Sequence, residues 1–173
     1  MKNEPRLSPT SYIVLALIDA AGEATPYELK QTAALTLSAF WSLPHAQVYA
    51  EPERLAGEGY LQERREQGGR RRRHYKLTAR GSKALRDWLA EPTAAMAELR
   101  DPGMLKLFFG GDPEALAGAQ LSVHREKLAQ HERLAEQIEG HVPAGILLAL
   151  RAGIGHEREW VRFWELVGRG EKP

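Results

Sequence analysis

Apolar residues recur along the chain with two different periods, and the changes of period mark out its elements. Ile13, Val14, Leu17 and Ile18, with Leu15 and Ala16 between them, are packed so densely that a helix there must be buried on much of its circumference. Ser8 can cap that helix, Pro9 stands at the first helical position where no N–H is needed, and Gly22 marks its end. Thr25-Pro26-Tyr27-Glu28 repeats the logic with a capping box and opens a second short helix, with Leu29 turned inward. The run TAALTLSAFW (residues 32–41) reads either as its continuation or as an ordered loop, with Phe40 and Trp41 in the core. Ser42-Leu43-Pro44 offers another cap for a third helix reaching Gly57 or Gly59, with Val48, Leu55 and Ala56 on its apolar face. Pro52 inside it predicts a kink or break over residues 49–52.

Beyond Gly59 the period falls to two. Residues 60–64 and 74–78 alternate like strands, and QGGRRRR (residues 67–73) between them is a glycine turn carrying charge, so the pair predicts a β-hairpin with a basic tip. Thr78 can cap a fourth helix over residues 79–90, with Ala84, Leu85, Trp88 and Leu89 on its apolar side. Glu91-Pro92-Thr93 marks a boundary, and the remainder is helical. Asp101-Pro102 opens a short amphipathic piece closed by Gly110-Gly111, and Asp112-Pro113-Glu114 opens a long helix to about Glu139. Along it Ala117, Leu121, His124, Leu128, His131, Ala135 and Ile138 recur at spacings of four and three, the pattern of a seam that meets another helix. Pro143 opens a final helix striped by Leu147, Leu150, Ile154, Val161 and Trp164, with Trp160 and Phe163 beside the stripe. So few residues offer little independent core, which predicts a homodimer whose interface includes Leu121, Leu128, Ile138, Leu147, Leu150 and Ile154.

Composition adds a partner to this outline. The net charge of +1 conceals an asymmetry: residues 1–90 carry 14 basic against 10 acidic side chains, residues 91–173 carry 10 against 13, and residues 61–80 carry 8 against 2. A basic segment in a nearly neutral chain is the footprint of a polyanion. With no cysteine there is neither a disulfide nor a thiolate metal site. No stretch approaches the roughly 20 apolar residues that span a bilayer, and residues 1–12 lack the apolar region of a leader, so a cytoplasmic protein is expected.

Gln47 is the leading candidate for base reading, since a carboxamide can both donate to and accept from adenine, although a solvated helix face would hold the same residue. Ser42, His45 and Tyr49 lie near it and can reach phosphates or base edges. Tyr49 can equally be a core residue with its hydroxyl at the surface. Arg70, Arg71, Arg72 and Arg73 would follow phosphates or enter the minor groove, with Arg54 adding charge to the helix. Arg64 and Arg65 are partly offset by Glu63 and Glu66. Trp88, Phe108, Trp160 and Trp164 would wall an aromatic effector pocket, or simply pack. His124, His131 and His156 suit a metal or pH sensor, or partnered interface positions. His131-Glu132 and His156-Glu157 do not complete a zinc-protease motif, because Ala135 and Trp160 stand where its second histidine belongs. No cofactor loop and no catalytic framework is visible.

The stretch WSLPHAQVY (residues 41–49) resembles the lead into the recognition helix of the PadR family of bacterial transcriptional regulators. RLAGEGYL (residues 54–61) is similar to that helix's exit, and RHYKLTARG (residues 73–81) to the second wing strand and the helix after it. Residues 99–109 and 159–164 resemble the family's longer-tailed branch. The resemblance implies a mainly α protein with a small β-hairpin: a winged helix-turn-helix DNA-binding domain over residues 1–91 and a C-terminal helical dimerisation and effector-binding domain over residues 92–173. It further implies repression of a nearby promoter, relieved by a small ligand. Ala50, Pro52 and Glu53 depart from the pattern, and Glu53 removes an expected phosphate contact.

The sequence therefore predicts a homodimer that binds double-stranded DNA at a pseudo-palindromic operator and is not an enzyme. The alternative is a winged-helix protein-interaction module that binds no DNA, its arginines meeting an acidic partner.

Overall fold

A computed structural model describes residues 7–37, 41, 43–68 and 71–172, with the side chain of His45 left out. Among the described residues nine elements follow in order: α1 (Pro9–Ala21), α2 (Pro26–Thr36), α3 (His45–Gly57), β1 (Leu61–Arg65), β2 (Arg73–Leu77), α4 (Ala79–Ala90), α5 (Pro102–Phe108), α6 (Pro113–Ile138) and α7 (Ala144–Gly168). They form two compact units, Met1–Ala95 and Met96–Pro173. Among the described residues no helix is long and apolar enough to cross a membrane.

In the first unit the helix starts are set by side chains that accept from orphan backbone N–H groups. Ser8 and Ser11 form one capping box, Thr25 and Glu28 another, and Thr78 caps α4 through the Gly81 N–H. The Thr25 bonds hold the Glu28 carboxyl below the usual carboxylate range. Val14, Leu15 and Ile18 of α1 pack with Leu29, Val48, Leu55, Tyr60, Leu61, Tyr75 and Leu85 in one core. The strands β1 and β2 pair antiparallel from Leu61↔Leu77 to Arg65↔Arg73, and Ala24 adds a bridge to Tyr75.

The third helix is not broken: α3 runs through Pro52, whose ring is fully buried, so packing offsets the backbone hydrogen bond it cannot make. Its N-cap is Pro44, without a side-chain cap, and Ser42 and Phe40 lie outside the described residues. α2 continues to Thr36 with Leu37 as its C-cap, residues 38–40 lie outside the described residues, and Trp41 is 43% exposed instead of in the core. Leu89 is 65% exposed, while Trp88 lies flat on Tyr12 with ring centroids 4.6 Å apart.

In the second unit Asp101 and Asp112 cap α5 and α6. The cross-links Arg125–Glu165, Arg158–Glu132 and Arg151–Glu139 run in opposite order along α6 and α7, so the two helices pack antiparallel. Ala117 and His131 of the α6 seam are buried, with Leu121, His124, Leu128, Ala135 and Ile138 half-buried. Leu150, Ile154 and Trp164 are the buried apolar side chains of α7.

Candidate nucleic-acid interface

The α2–α3 pair and the β1–β2 hairpin place two polar surfaces in the first unit. Val48, Pro52 and Leu55 turn one face of α3 into the core, which leaves Gln47, Tyr49 and Glu53 exposed. The carboxamide of Gln47 is anchored: the Thr10 hydroxyl of α1 donates to its Oε1 at 3.0 Å. One position further along α1, the buried Ser11 hydroxyl donates to Glu51 Oε1 at 2.6 Å and accepts from Arg54 at 3.0 Å. Burial pushes the Glu51 carboxyl up, but the hydrogen bonds from Arg54 and Ser11 outweigh it and hold it below the usual range. Arg54 also reaches Glu58 at 2.7 Å. These contacts raise its pKa further, Glu51 contributing most, and commit its guanidinium to bracing α3 against α1.

The hairpin tip closes with Glu66 N–H donating to the Arg72 carbonyl, and Arg71 takes a left-handed φ of 46° there. Arg71 and Arg72 are exposed, and among the described residues neither guanidinium has an ion pair or a side-chain hydrogen bond. Arg73 is held instead, 2.9 Å from Glu53 of α3 and 3.8 Å from Glu63 of β1. The hydrogen bond to Glu53 is the main cause of its raised pKa. Arg64 pairs with Glu23 and Arg65 with Glu63, which removes both from the tip's uncompensated charge. Ser42, Arg70 and the side chain of His45 lie outside the described residues; the His45 backbone opens α3.

Tyr49 is 43% exposed on the same helix, and Arg54 and Arg73 are tied into ion pairs. The sequence missed three groups that shape this surface: Thr10, Glu53 as a tether, and Arg80. Arg80 lies over the Tyr60 ring, 4.2 Å from its centroid, and donates to the Glu58 carbonyl where α3 gives way to β1. Thr10 was legible only as part of a helix start, because its partner lies 37 positions away.

Among the aromatic candidates of the second unit, Trp160 and Trp164 are linked through the Phe163 ring, at 5.7 and 5.1 Å. Trp164 is fully buried, and Phe108 is 82% exposed beside Phe109. Trp160 stacks on His124 and its indole N–H donates to His156. Among the described residues no ring contact joins Phe108 to either tryptophan, and Trp88 is engaged with Tyr12 of the first unit. An open hollow of about 490 Å³ on the second unit is lined by Glu114, Ala117, Gly118, Leu121, Arg125, Glu165, Gly168 and Arg169, none of them aromatic. Among the described residues no cluster of His, Asp and Glu side chains could hold a metal ion.

At the α6–α7 seam, Glu157 is 3% exposed and bonded to His124 Nδ1 at 2.6 Å and Lys127 Nζ at 2.9 Å. Burial raises its carboxyl, but these two partners more than compensate and hold it below the usual range. His131 is buried with Nδ1 unpartnered; burial pushes its imidazole below the ordinary value, Lys127 acts in the same direction and Glu157 opposes.

A helix-turn-helix whose second helix is followed by a two-stranded hairpin with a cationic tip defines the winged helix-turn-helix class. Residues 14–87 match the Transcriptional regulator PadR-like family. The Negative transcriptional regulator PadR of Bacillus subtilis (strain 168) is 32% identical over 100 residues, 57% of this chain and 54% of that protein. The match therefore spans about half the length of that curated relative. The solved structure of Bacillus subtilis PadR in complex with operator DNA is similar over 96% of this chain and 99% of that one, with a TM-score of 0.81 and 25% identity. The same regulator in complex with p-coumaric acid matches over 92% and 96%, with a TM-score of 0.75 and 25% identity. A PadR-like regulator from Bacillus cereus shares the fold at 16% identity, with a TM-score of 0.79 over 93% and 96% of the two chains.

Proposed function

We propose that the protein is a homodimeric, sequence-specific DNA-binding regulator that represses transcription and is released by a small ligand. The observation that carries the DNA reading is the exposed polar face of α3 beside a wing tip whose Arg71 and Arg72 are exposed and, among the described residues, have no ion pair. Such a helix fits the major groove, and a two-fold dimer places two of them on half-sites one helical turn apart or a multiple of it. Gln47 and Tyr49 face bases and nearby phosphates, and Arg71 and Arg72 supply phosphate or minor-groove contacts. Arg54 braces α3 against α1, and the charge of Arg73 is offset by Glu53.

The long α6–α7 pair supplies the dimerisation surface. Leu150 and Ile154 hold the single chain's own seam, and the exposed apolar side chains open to a second copy include Val123 of α6, Leu148 of α7, and Leu105, Phe108 and Phe109 in and beside α5. Release by a ligand follows the p-coumaric acid complex of the Bacillus subtilis relative. This is a binding protein of the cytoplasm and not an enzyme.

Gel shift with duplex DNA from upstream of the protein's own gene, at low and high salt, tests the reading. A sequence-dependent complex that weakens steeply with salt is expected. Failure to shift any duplex at low salt would overturn it in favour of an acidic protein partner.

A further inference from the structure

We infer that Thr10 is a positioning residue that makes Gln47 present its amide N–H₂ edge, so that the chain selects guanine at one half-site position instead of the adenine that a freely rotating carboxamide would read. The inference rests on the placement of α3 in the major groove and deepens it.

A glutamine side chain carries an acceptor and a double donor on opposite sides of one planar group, and its last torsion is soft. On an open helix face either edge can point outward. Here the Thr10 hydroxyl donates to Gln47 Oε1 at 3.0 Å, which turns the oxygen toward α1 and the N–H₂ away from it. Among the described residues no acceptor is placed against that N–H₂ group. The outward edge is a donor. In the major groove guanine offers two adjacent acceptors, N7 and O6, whereas adenine sets an acceptor beside a donor.

The anchor is built into the scaffold. Thr10 lies in the first turn of α1, which the Ser8–Ser11 capping box fixes. The next residue, Ser11, is fully buried and ties that turn to α3 through Glu51 and Arg54. The hydroxyl is therefore held at a set distance from the recognition helix by two helices that cross in the core. A side chain on a flexible loop would not fix the amide in this way.

The test is selection of binding sites from a randomised duplex library with the full-length protein, Thr10→Val, Thr10→Ser and Gln47→Ala, with thermal unfolding of each. Wild type and Thr10→Ser should select G·C at one position per half-site. Thr10→Val should keep its unfolding midpoint and lose about three- to tenfold of that preference, a fraction of what a bidentate base contact supplies. If Thr10→Val selects the wild-type sequence while Gln47→Ala loses the position, the inference fails and base reading by α3 stands. An adenine preference at the position Gln47→Ala loses would also overturn it, as would equal weakening on every sequence by Thr10→Val. A Gln47→Ala profile identical to wild type would remove the underlying reading of α3 itself.

Discussion

The Arg73 guanidinium lies 2.9 Å from the Glu53 carboxylate, joining the second wing strand to the helix proposed to enter the groove. Arg73 is partly and Glu53 largely exposed, so solvent screens the pair and it contributes little to stability. Its larger effect is on the field: Glu53 offsets a positive charge on the surface that would meet phosphate. Glu53→Ala should leave the unfolding midpoint almost unchanged, strengthen binding to all duplex sequences, and steepen the dependence of log K on log salt by up to about 0.9. A fall in affinity would show that the tether acts by holding the wing in place.

Gly81, in the first turn of α4, lies against the Tyr60 carbonyl, and a Cβ there would sit 2.2 Å from that oxygen. The backbone must shift to admit it, because Thr78 pins the same place by donating to the Gly59 and Tyr60 carbonyls. Gly81→Ala should destabilise the protein by about 2–3 kcal/mol in denaturant titration, a cost typical of overpacking at a close backbone approach. An unchanged midpoint would contradict this account of the α3–β1–α4 junction.

The α6–α7 seam should make stability pH-dependent. His131 has a depressed imidazole pKa, so the unfolded chain binds the proton first as pH falls below about 6.5, and stability declines from there. The groups facing it are Lys127 of its own helix and Glu157 of α7. Glu157 has a depressed carboxyl, so its contribution persists above about 4.3 and is lost as pH falls through its folded value. Thermal unfolding from pH 7 to 5 should show a falling midpoint that flattens in His131→Leu. Glu157→Gln should cost about 2 kcal/mol at pH 7, since Lys127 and His124 lose a charge-assisted acceptor. A His131→Leu profile parallel to wild type would rule out this origin of the pH dependence.

Removal of residues 92–173 should leave a monomer in sedimentation, because the proposed interface lies on the α6–α7 unit. A truncated chain that still sediments as a dimer would place the interface in the first unit.

Much of the outline was legible because its signals are local. The caps at Ser8, Thr25, Thr78, Asp101 and Asp112, the alternation around the Gly-Arg turn, and the α6 seam from Ala117 to Ile138 each lie within a few residues of the structure they specify. What was not legible depends on how helices cross. Thr10 meets Gln47, and Arg73 meets Glu53, only because α1 and β2 pack beside α3. Burial of the Pro52 ring likewise has no local signature, so the same proline that predicts a break is accommodated inside α3. Trp41 shows the reverse, a large apolar residue read as core that the fold leaves exposed.

If α3 and the wing tip form one DNA-binding surface, both must contribute to the salt-dependent binding of duplex DNA. Fluorescence anisotropy with duplex from upstream of the protein's own gene should give a linear fall of log K with log salt. Arg71→Ala with Arg72→Ala should reduce that slope by about 1.8, at about 0.9 per phosphate contact, and weaken specific and random duplexes alike. Gln47→Ala should keep the slope and lose discrimination at one base position, at a cost of about 1–3 kcal/mol there. An unchanged slope and affinity in the double arginine variant would contradict the claim.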